Sequence, residues 1–438
     1  MQFPKFSRST WIGVGVLALL IAAGIIYAVA AASPRQRSAV TAPVTTTAST
    51  TAPAVTTTAT PSTTTATTAV RHRRRDNFTV AFYGNRRSRT RDFPEAPGLN
   101  PPFRLAWKLG DNALLEFPAT IWGNNLYYID DGATVKRVNI RTGKRIWQRH
   151  VGLLSASSPS LDVHRRELFV SVLSLTGSTI GSANGEVAAL SMLSGKILWR
   201  FPVPSGTESS PMVVGNSVYF GDQGGTEYSL NARTGRENWA FQTGGSIKAG
   251  ADYQGGKLFF GNYAGSFYAL NARTGAEVWS ASPGGEFYST PAVAYGHVYV
   301  GNNNDYAYAF DLGTGAVAWS HNLGGYGYSG PAVADIPGLG PTVYIGSYDG
   351  YLYALNAASG ASDWAAYVGG AISGSATVVD HTVYVSTVYA PGSYGFNART
   401  GARVFHFPDG SYTTVLADRN AVFLMGNYVI YKLVPAKR

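Results

Sequence analysis

The phrase Phe267-Tyr-Ala-Leu-Asn-Ala-Arg-Thr-Gly-Ala-Glu-Val-Trp279 returns along this chain at a nearly constant interval, and few folds accommodate such a period. Clear copies are Tyr228-Ser-Leu-Asn-Ala-Arg-Thr-Gly-Arg-Glu-Asn-Trp239, Tyr308-Ala-Phe-Asp-Leu-Gly-Thr-Gly-Ala-Val-Ala-Trp319 and Tyr353-Ala-Leu-Asn-Ala-Ala-Ser-Gly-Ala-Ser-Asp-Trp364. Weaker copies end at Trp147 and Trp199, and Tyr394-Gly-Phe-Asn-Ala-Arg-Thr-Gly-Ala-Arg-Val-Phe405 has Phe in place of Trp. The glycine of the Thr/Ser-Gly step falls at 143, 195, 235, 275, 315, 360 and 401, at intervals of 52, 40, 40, 40, 45 and 41. A period near 40 in strand-forming residues implies an all-β propeller with one sheet per repeat.

Each repeat reads as a four-stranded meander. Strand A follows a Ser/Thr/Gly-Pro step, as in Ser210-Pro-Met-Val-Val and Thr290-Pro-Ala-Val-Ala. Strand B is a β-branched and aromatic run closed by Gly, such as Ser217-Val-Tyr-Phe-Gly221 or His297-Val-Tyr-Val-Gly301. A glycine turn such as Ala264-Gly265 leads to strand C, the Asn-Ala-Arg-Thr-Gly segment turns from C to D, and the Trp lies on strand D. Trp107 precedes Trp147 by 40 residues with no A, B and C strands ahead of it, whereas Ser411-Tyr-Thr-Thr-Val-Leu, Ala421-Val-Phe-Leu-Met and Tyr428-Val-Ile-Tyr-Lys-Leu433 supply those three strands and lack a D. The expectation is an eight-bladed β-propeller over 92–438 whose last blade is closed by the N-terminal strand, hiding edges that an open sheet would expose. An open β-solenoid shares the period, but it leaves the Trp107 strand without a partner.

Ahead of the repeats the composition changes three times. After a short segment, 1–10, residues Trp11 to Ala32 carry no charge and span about 33 Å as a helix, enough to cross a bilayer. Two readings fit: an uncleaved transmembrane signal anchor over 11–32, and a secretory signal peptide cut after Ala28-Val-Ala30. The anchor is preferred because the apolar run is long. Residues 33–70, rich in Thr, Ala and Pro, are too polar to build a core and are expected to form a disordered linker. Segment 71–91 holds eight arginines and one acid, and 1–70 four basic residues and none acidic, so the net charge of +10 lies wholly before residue 92. This Arg-rich collar suits anionic headgroups or wall polymers, or else simply keeps the linker solvated. A near-neutral propeller behind an export segment argues against nucleic acid as a partner. The implied localisation is the cell membrane, single-pass, with a monomeric propeller extracytoplasmic.

Catalytic motifs are absent. There is no Cys, no Walker loop and no Gly-x-Ser-x-Gly elbow, and the 7 His lack metal-ligand spacing. His150, His321 and His406 follow the strand D aromatic and read as surface positions. Gly325-Tyr-Gly-Tyr-Ser-Gly330 matches Gly-x-Gly-x-x-Gly but joins two blades, with no helix to follow. Asp222, Asp305 and Asp349 occupy equivalent turns and are explained by turn chemistry. No catalytic, cofactor-binding or metal-ligating residue is assigned.

Taken together, Ser/Thr-Pro-Ala-Val, Val-Tyr-Val-Gly, Tyr-Ala-Leu-Asn-Ala-x-Thr-Gly and Trp resemble the pyrroloquinoline-quinone (PQQ)-type propeller repeat, and the lead-in Phe82-Tyr-Gly-Asn-Arg-Arg-Ser-Arg-Thr resembles the start of such domains. The resemblance implies one of two branches: quinoprotein dehydrogenases, with PQQ and calcium on the axis, or non-catalytic scaffolds of the outer-membrane assembly machinery. Adjacent cysteines and long roofing insertions of the first branch are missing here, and so is the lipidated Cys of the second. The reading preferred from sequence is a non-catalytic, membrane-anchored scaffold without a cofactor, binding an envelope protein or polymer; the alternative is a quinone-dependent oxidoreductase.

Loop geometry gives such a scaffold two faces. The B-to-C and D-to-A connections share one, which carries Tyr288, Tyr326, Tyr328 and the extra residues of blade 2, Ser174 to Gly185. The C-to-D turns on the other carry Arg141, Arg233, Arg273 and Arg399. Both sets are candidate binding residues. The aromatic face is preferred because solvated turn arginines are common on any surface.

Overall fold

The computed structural model describes residues 78–94, 96–175, 184–389, 392–413 and 415–436. The expected membrane helix over 11–32, the linker over 33–70 and residues 71–77 lie outside the described residues, among which no helix is long and apolar enough to cross a membrane. Among the described residues eight sheets are present, each built on a four-stranded antiparallel blade and two of them extended by a short fifth strand. Blade 1 runs Thr120–Trp122, Asn125–Ile129, Thr134–Asn139 and Arg145–His150, and seven blades follow this continuous plan. Blade 8 takes its A, B and C strands from Val415–Ala417, Val422–Met425 and Val429–Pro435, and its D strand is Phe103–Gly110, paired from Phe103 opposite Pro435 to Gly110 opposite Val429. The orphan Trp107 strand therefore closes the ring.

Burial explains the residue choice in each strand. Strands B and C are sandwiched between neighbouring blades, so Val218, Tyr219 and Phe220 are all buried and the run is apolar on both sides. Strand D is the outer edge, and Glu237–Gln242 alternates between exposed and half-buried positions.

Every blade boundary but one is sealed in the same way. The Asn231 side chain accepts hydrogen bonds from the backbone N–H groups of Arg233 and Thr234, which curls the C-to-D turn until Gly235 takes a positive φ. The seven glycines of these turns have φ of 69–74°, and a Cβ on any of them would lie 2.4–2.9 Å from the ring of a Trp in the preceding blade. That Trp donates its Nε1–H to a turn carbonyl of the same neighbour over 2.9–3.2 Å, from Trp107 to Ile140 at one end of the series to Trp364 to Ala398 at the other. In three blades the strand B tyrosine, Tyr219, Tyr299 or Tyr344, donates to the same carbonyl as the Trp, filling both of its lone pairs. Phe405 is the exception with a reason. Its neighbour, blade 8, has no C-to-D turn because its D strand comes from elsewhere, so no carbonyl waits for an indole; Phe405 packs edge-on against Phe103 instead.

At the axis the A strands turn their free edges inward, and the chain's own central segment pairs with or bonds to six of the eight. Thr79–Val80 pairs antiparallel with strand A of blade 1, and Asp92–Phe93 pairs parallel with strand A of blade 7. Between them the segment winds past blade after blade: the N–H groups of Leu161, Tyr253, Val293, Val333 and Val378 donate to the carbonyls of Ala81, Arg87, Ser88, Thr90 and Arg91. The Arg89 guanidinium donates to the carbonyls of Ser210 and Ala251, and that of Arg91 to Thr290 and Pro331. Both arginines are fully buried, at 0% and 1% exposure. The sequence expectation of a solvent-facing collar running to residue 91, with the propeller starting at 92, is corrected here: Arg86 and Arg87 are exposed, whereas Phe78 onward belongs to the propeller and Arg89 and Arg91 serve its inner edges. Unpaired buried carbonyls are costly, and two forked donors meet several of them at once.

Candidate functional site

The D-to-A connections place one side chain per blade around the axis. In seven blades it lies four residues before strand A: Glu116, Ala156, Glu208, Lys248, Tyr288, Tyr328 and Ser373; in blade 8 Tyr412 lies three before. All but Ala156 line one cavity of about 50 Å³, and since they come from seven blades the cavity is on the axis. Tyr83 of the central segment lies at its base, where its hydroxyl hydrogen-bonds to Ser375 and its ring receives the Arg91 guanidinium at 4.9 Å.

The ring is polarised. On one side Tyr288 and Tyr328 meet edge to face at 5.0 Å, Tyr328 meets Tyr348 at 4.7 Å, and Tyr326 and Tyr263 extend the cluster at 5.9 and 6.2 Å. Burial pushes the Tyr288 and Tyr263 hydroxyls well above their ordinary range, and Tyr412 up to about 12, so these side chains are neutral walls. On the other side stand the charges. The Glu208 carboxylate accepts from Gln223 at 2.6 Å and pairs with Lys248 at 3.3 Å, whose ammonium also sits 5.1 Å from the Tyr263 ring centre. Burial, reinforced by Glu208 and opposed by Lys248, pushes the Glu116 carboxyl up to about 7. Behind it Asp131 is pushed up to about 9 by burial and by Glu116, and its buried Oδ2 has no partner among the described residues.

Of the residues proposed from sequence, the structure brings Tyr288, Tyr326 and Tyr328 together at the cavity and its rim. Arg141, Arg233, Arg273 and Arg399 are exposed in the C-to-D turns of four separate blades, each bonded through its backbone N–H to the turn Asn, and no shared site forms around them. The blade 2 extension leaves from the cavity face, but 176–183 lie outside the described residues. Glu116, Glu208 and Lys248 escaped the sequence reading because the ring position changes residue type from blade to blade. The signal was positional: the same offset before each strand A.

The other residues singled out have local duties. His321 bonds the Gly360 carbonyl at 3.0 Å, and His406 stacks on Tyr394. Asp222 and Asp349 accept backbone N–H groups of their own turns. Among the described residues no three His, Asp or Glu side chains stand close enough to hold a metal. A quinone with its calcium would have to use the axial cavity, which at about 50 Å³ falls far below the roughly 300 Å³ of a small-molecule site. The residues present do not fit that pair.

The chain matches the family described as outer membrane protein assembly factor BamB over residues 131–250 and 243–426. Among solved structures it is similar to BamB from Moraxella catarrhalis, with a TM-score of 0.63 and 16% identity over 77% of this chain and 99% of that one. It is also similar to the quinohemoprotein alcohol dehydrogenase from Comamonas testosteroni, with a TM-score of 0.67 and 13% identity over 82% and 81% of the two chains. A europium-containing methanol dehydrogenase gives 0.67 and 11% over 81% and 98%. At these identities the structural likeness speaks for the fold alone. No curated protein matches the sequence.

Proposed function

We infer the function from the premise that this chain belongs to the family of outer membrane protein assembly factor BamB. It acts as a non-catalytic, extracytoplasmic binding scaffold, held at the cell membrane by Trp11 to Ala32 and offering its D-to-A face to an envelope protein. The observation that carries the reading is the axial ring, where half-buried tyrosines from adjacent blades form a continuous aromatic surface beside charged groups. Amphipathic rings of low side-chain entropy are favoured at the centre of protein interfaces. Arginines dispersed over separate turns give the opposite face no such centre.

Capture of envelope proteins by the purified full-length chain tests this. Tyr288→Ala and Tyr328→Ala should each weaken capture at least tenfold, and Arg233→Ala and Arg273→Ala should leave it unchanged, with all four folded. The reverse pattern would move the binding site to the C-to-D face. The oxidoreductase alternative is met by calorimetry with PQQ and calcium: micromolar binding with dye-linked dehydrogenase activity would overturn the scaffold. For the anchor, mature protein beginning near Ala31 and free of the membrane would mean a signal peptide instead.

A further inference from the structure

We propose that the axial cavity is a receptor for one primary ammonium group of a protein partner, bound at Glu116 between the rings of Tyr288 and Tyr412. The proposal rests on the scaffold reading, and it names what that face recognises.

Size sets the first limit. About 50 Å³ is room for a few water molecules, at roughly 10–15 Å³ each, so the tip of a side chain or a chain terminus enters and a cofactor or sugar ring does not. Charge sets the second. Glu208 is already engaged by Gln223 and Lys248. The Glu116 carboxylate has no hydrogen bond or ion pair to a described residue, and the unpartnered Oδ2 of Asp131 lies buried behind it. An incoming anion would face all three acids, whereas a cation supplies what Glu116 and Asp131 lack. The walls set the third: Tyr288 and Tyr412, their hydroxyls held neutral by burial, offer ring and oxygen acceptors to a cation and add no positive charge. Lys248 demonstrates the chemistry within the same molecule, its ammonium held between a carboxylate at 3.3 Å and a tyrosine ring at 5.1 Å. The Glu116 side offers a second such place without a lysine of its own.

A proton accompanies binding. The groups facing Glu116 are Glu208, Lys248, Asp131 and the hydroxyls of Tyr288 and Tyr412. Because burial holds part of the Glu116 population protonated near neutral pH, an ammonium ligand must displace that proton.

The full-length protein is titrated calorimetrically below neutral pH, in two buffers of different ionisation enthalpy. The probes are acetyl-Gly-Lys-Gly-amide, its Nε-acetylated form, and Gly-Gly-Gly-amide, whose only amine is the N-terminus. The lysine peptide should bind with proton release and its acetylated form should not. Binding of Gly-Gly-Gly-amide alone would identify a chain terminus as the source of the ammonium and equally support the site. Glu116→Gln should weaken binding at least tenfold and abolish proton release, while Arg236→Ala, in an exposed C-to-D turn away from the cavity, should leave both within about twofold. Equal binding of the acetylated peptide, or unchanged binding by Glu116→Gln, would overturn the proposal. Protein capture is read separately: Glu116→Gln that loses the peptides but keeps the captured partner leaves the ammonium site standing and moves docking elsewhere.

Discussion

The outer and inner layers of this propeller follow opposite rules. At the outside seven blade boundaries repeat one device, a Trp ring lying on a left-handed glycine and bonded to the next turn. At the axis the same eight blades place five residue types at one position. The outer contact is the same at all seven of these boundaries, so drift from the pattern at any of them costs stability. The inner position bears on a shared cavity, where each residue is free to differ. Repetition thus marks what holds the ring, and variation at fixed register marks what the ring can bind.

The harshest way to break the outer rule is Gly315→Val. A β-branched residue at φ of 74° with its Cβ 2.4 Å from Trp279 should cost about 4 kcal/mol, combining backbone strain and overpacking, and lower the denaturant midpoint accordingly. An effect under about 1 kcal/mol would mean that the docks are not what seals the blades.

The axis has its own structural demand, carried by residues that do not repeat. Arg91→Met should cost about 3 kcal/mol, since it leaves the carbonyls of Arg89, Thr290 and Pro331 without their donor. If the variant matched the native midpoint, the central segment would be a passenger and not a plug.

A smaller effect is visible through pH. Burial pushes the Asp252 carboxyl up to about 8 in spite of Arg89 and Arg91, and neither of its oxygens has a partner among the described residues. A carboxyl raised above its unfolded value of about 3.9 contributes stability that is complete below that value and is lost as pH rises through the folded one. Asp252→Asn should therefore flatten the fall in Tm between about pH 4 and 8. Parallel profiles for the two proteins would assign the slope to Asp131 or Glu227, which are raised in the same direction.

The smallest test sets two boundaries side by side. Trp239→Phe should cost about 1 kcal/mol for the lost bond to Ala272. Phe405→Trp should gain nothing and change stability by less than about 0.5 kcal/mol, because blade 8 has no turn carbonyl to receive the indole. Stabilisation by Phe405→Trp would show that the aromatic surface, and not the hydrogen bond, decides the choice.

How far the sequence carried can be read from individual residues. The glycine intervals gave the blade count, the Trp107 strand gave the closure, and the tyrosines before the Pro steps pointed to the cavity face. Arg89 and Arg91 could not be read in the same way. In a run of eight arginines each looks solvated, and the carbonyls that hold these two are up to 240 residues away.

What the sequence determined by itself is the unit and its repetition, because strand alternation, an Asn-capped turn and a glycine with positive φ are decided by neighbours within a few positions. What the tertiary structure alone decided is everything on the axis. There the free edges of the A strands converge from the whole length of the chain, so which arginine is buried and which glutamate faces tyrosine depend on ring closure, a condition that no stretch of sequence contains.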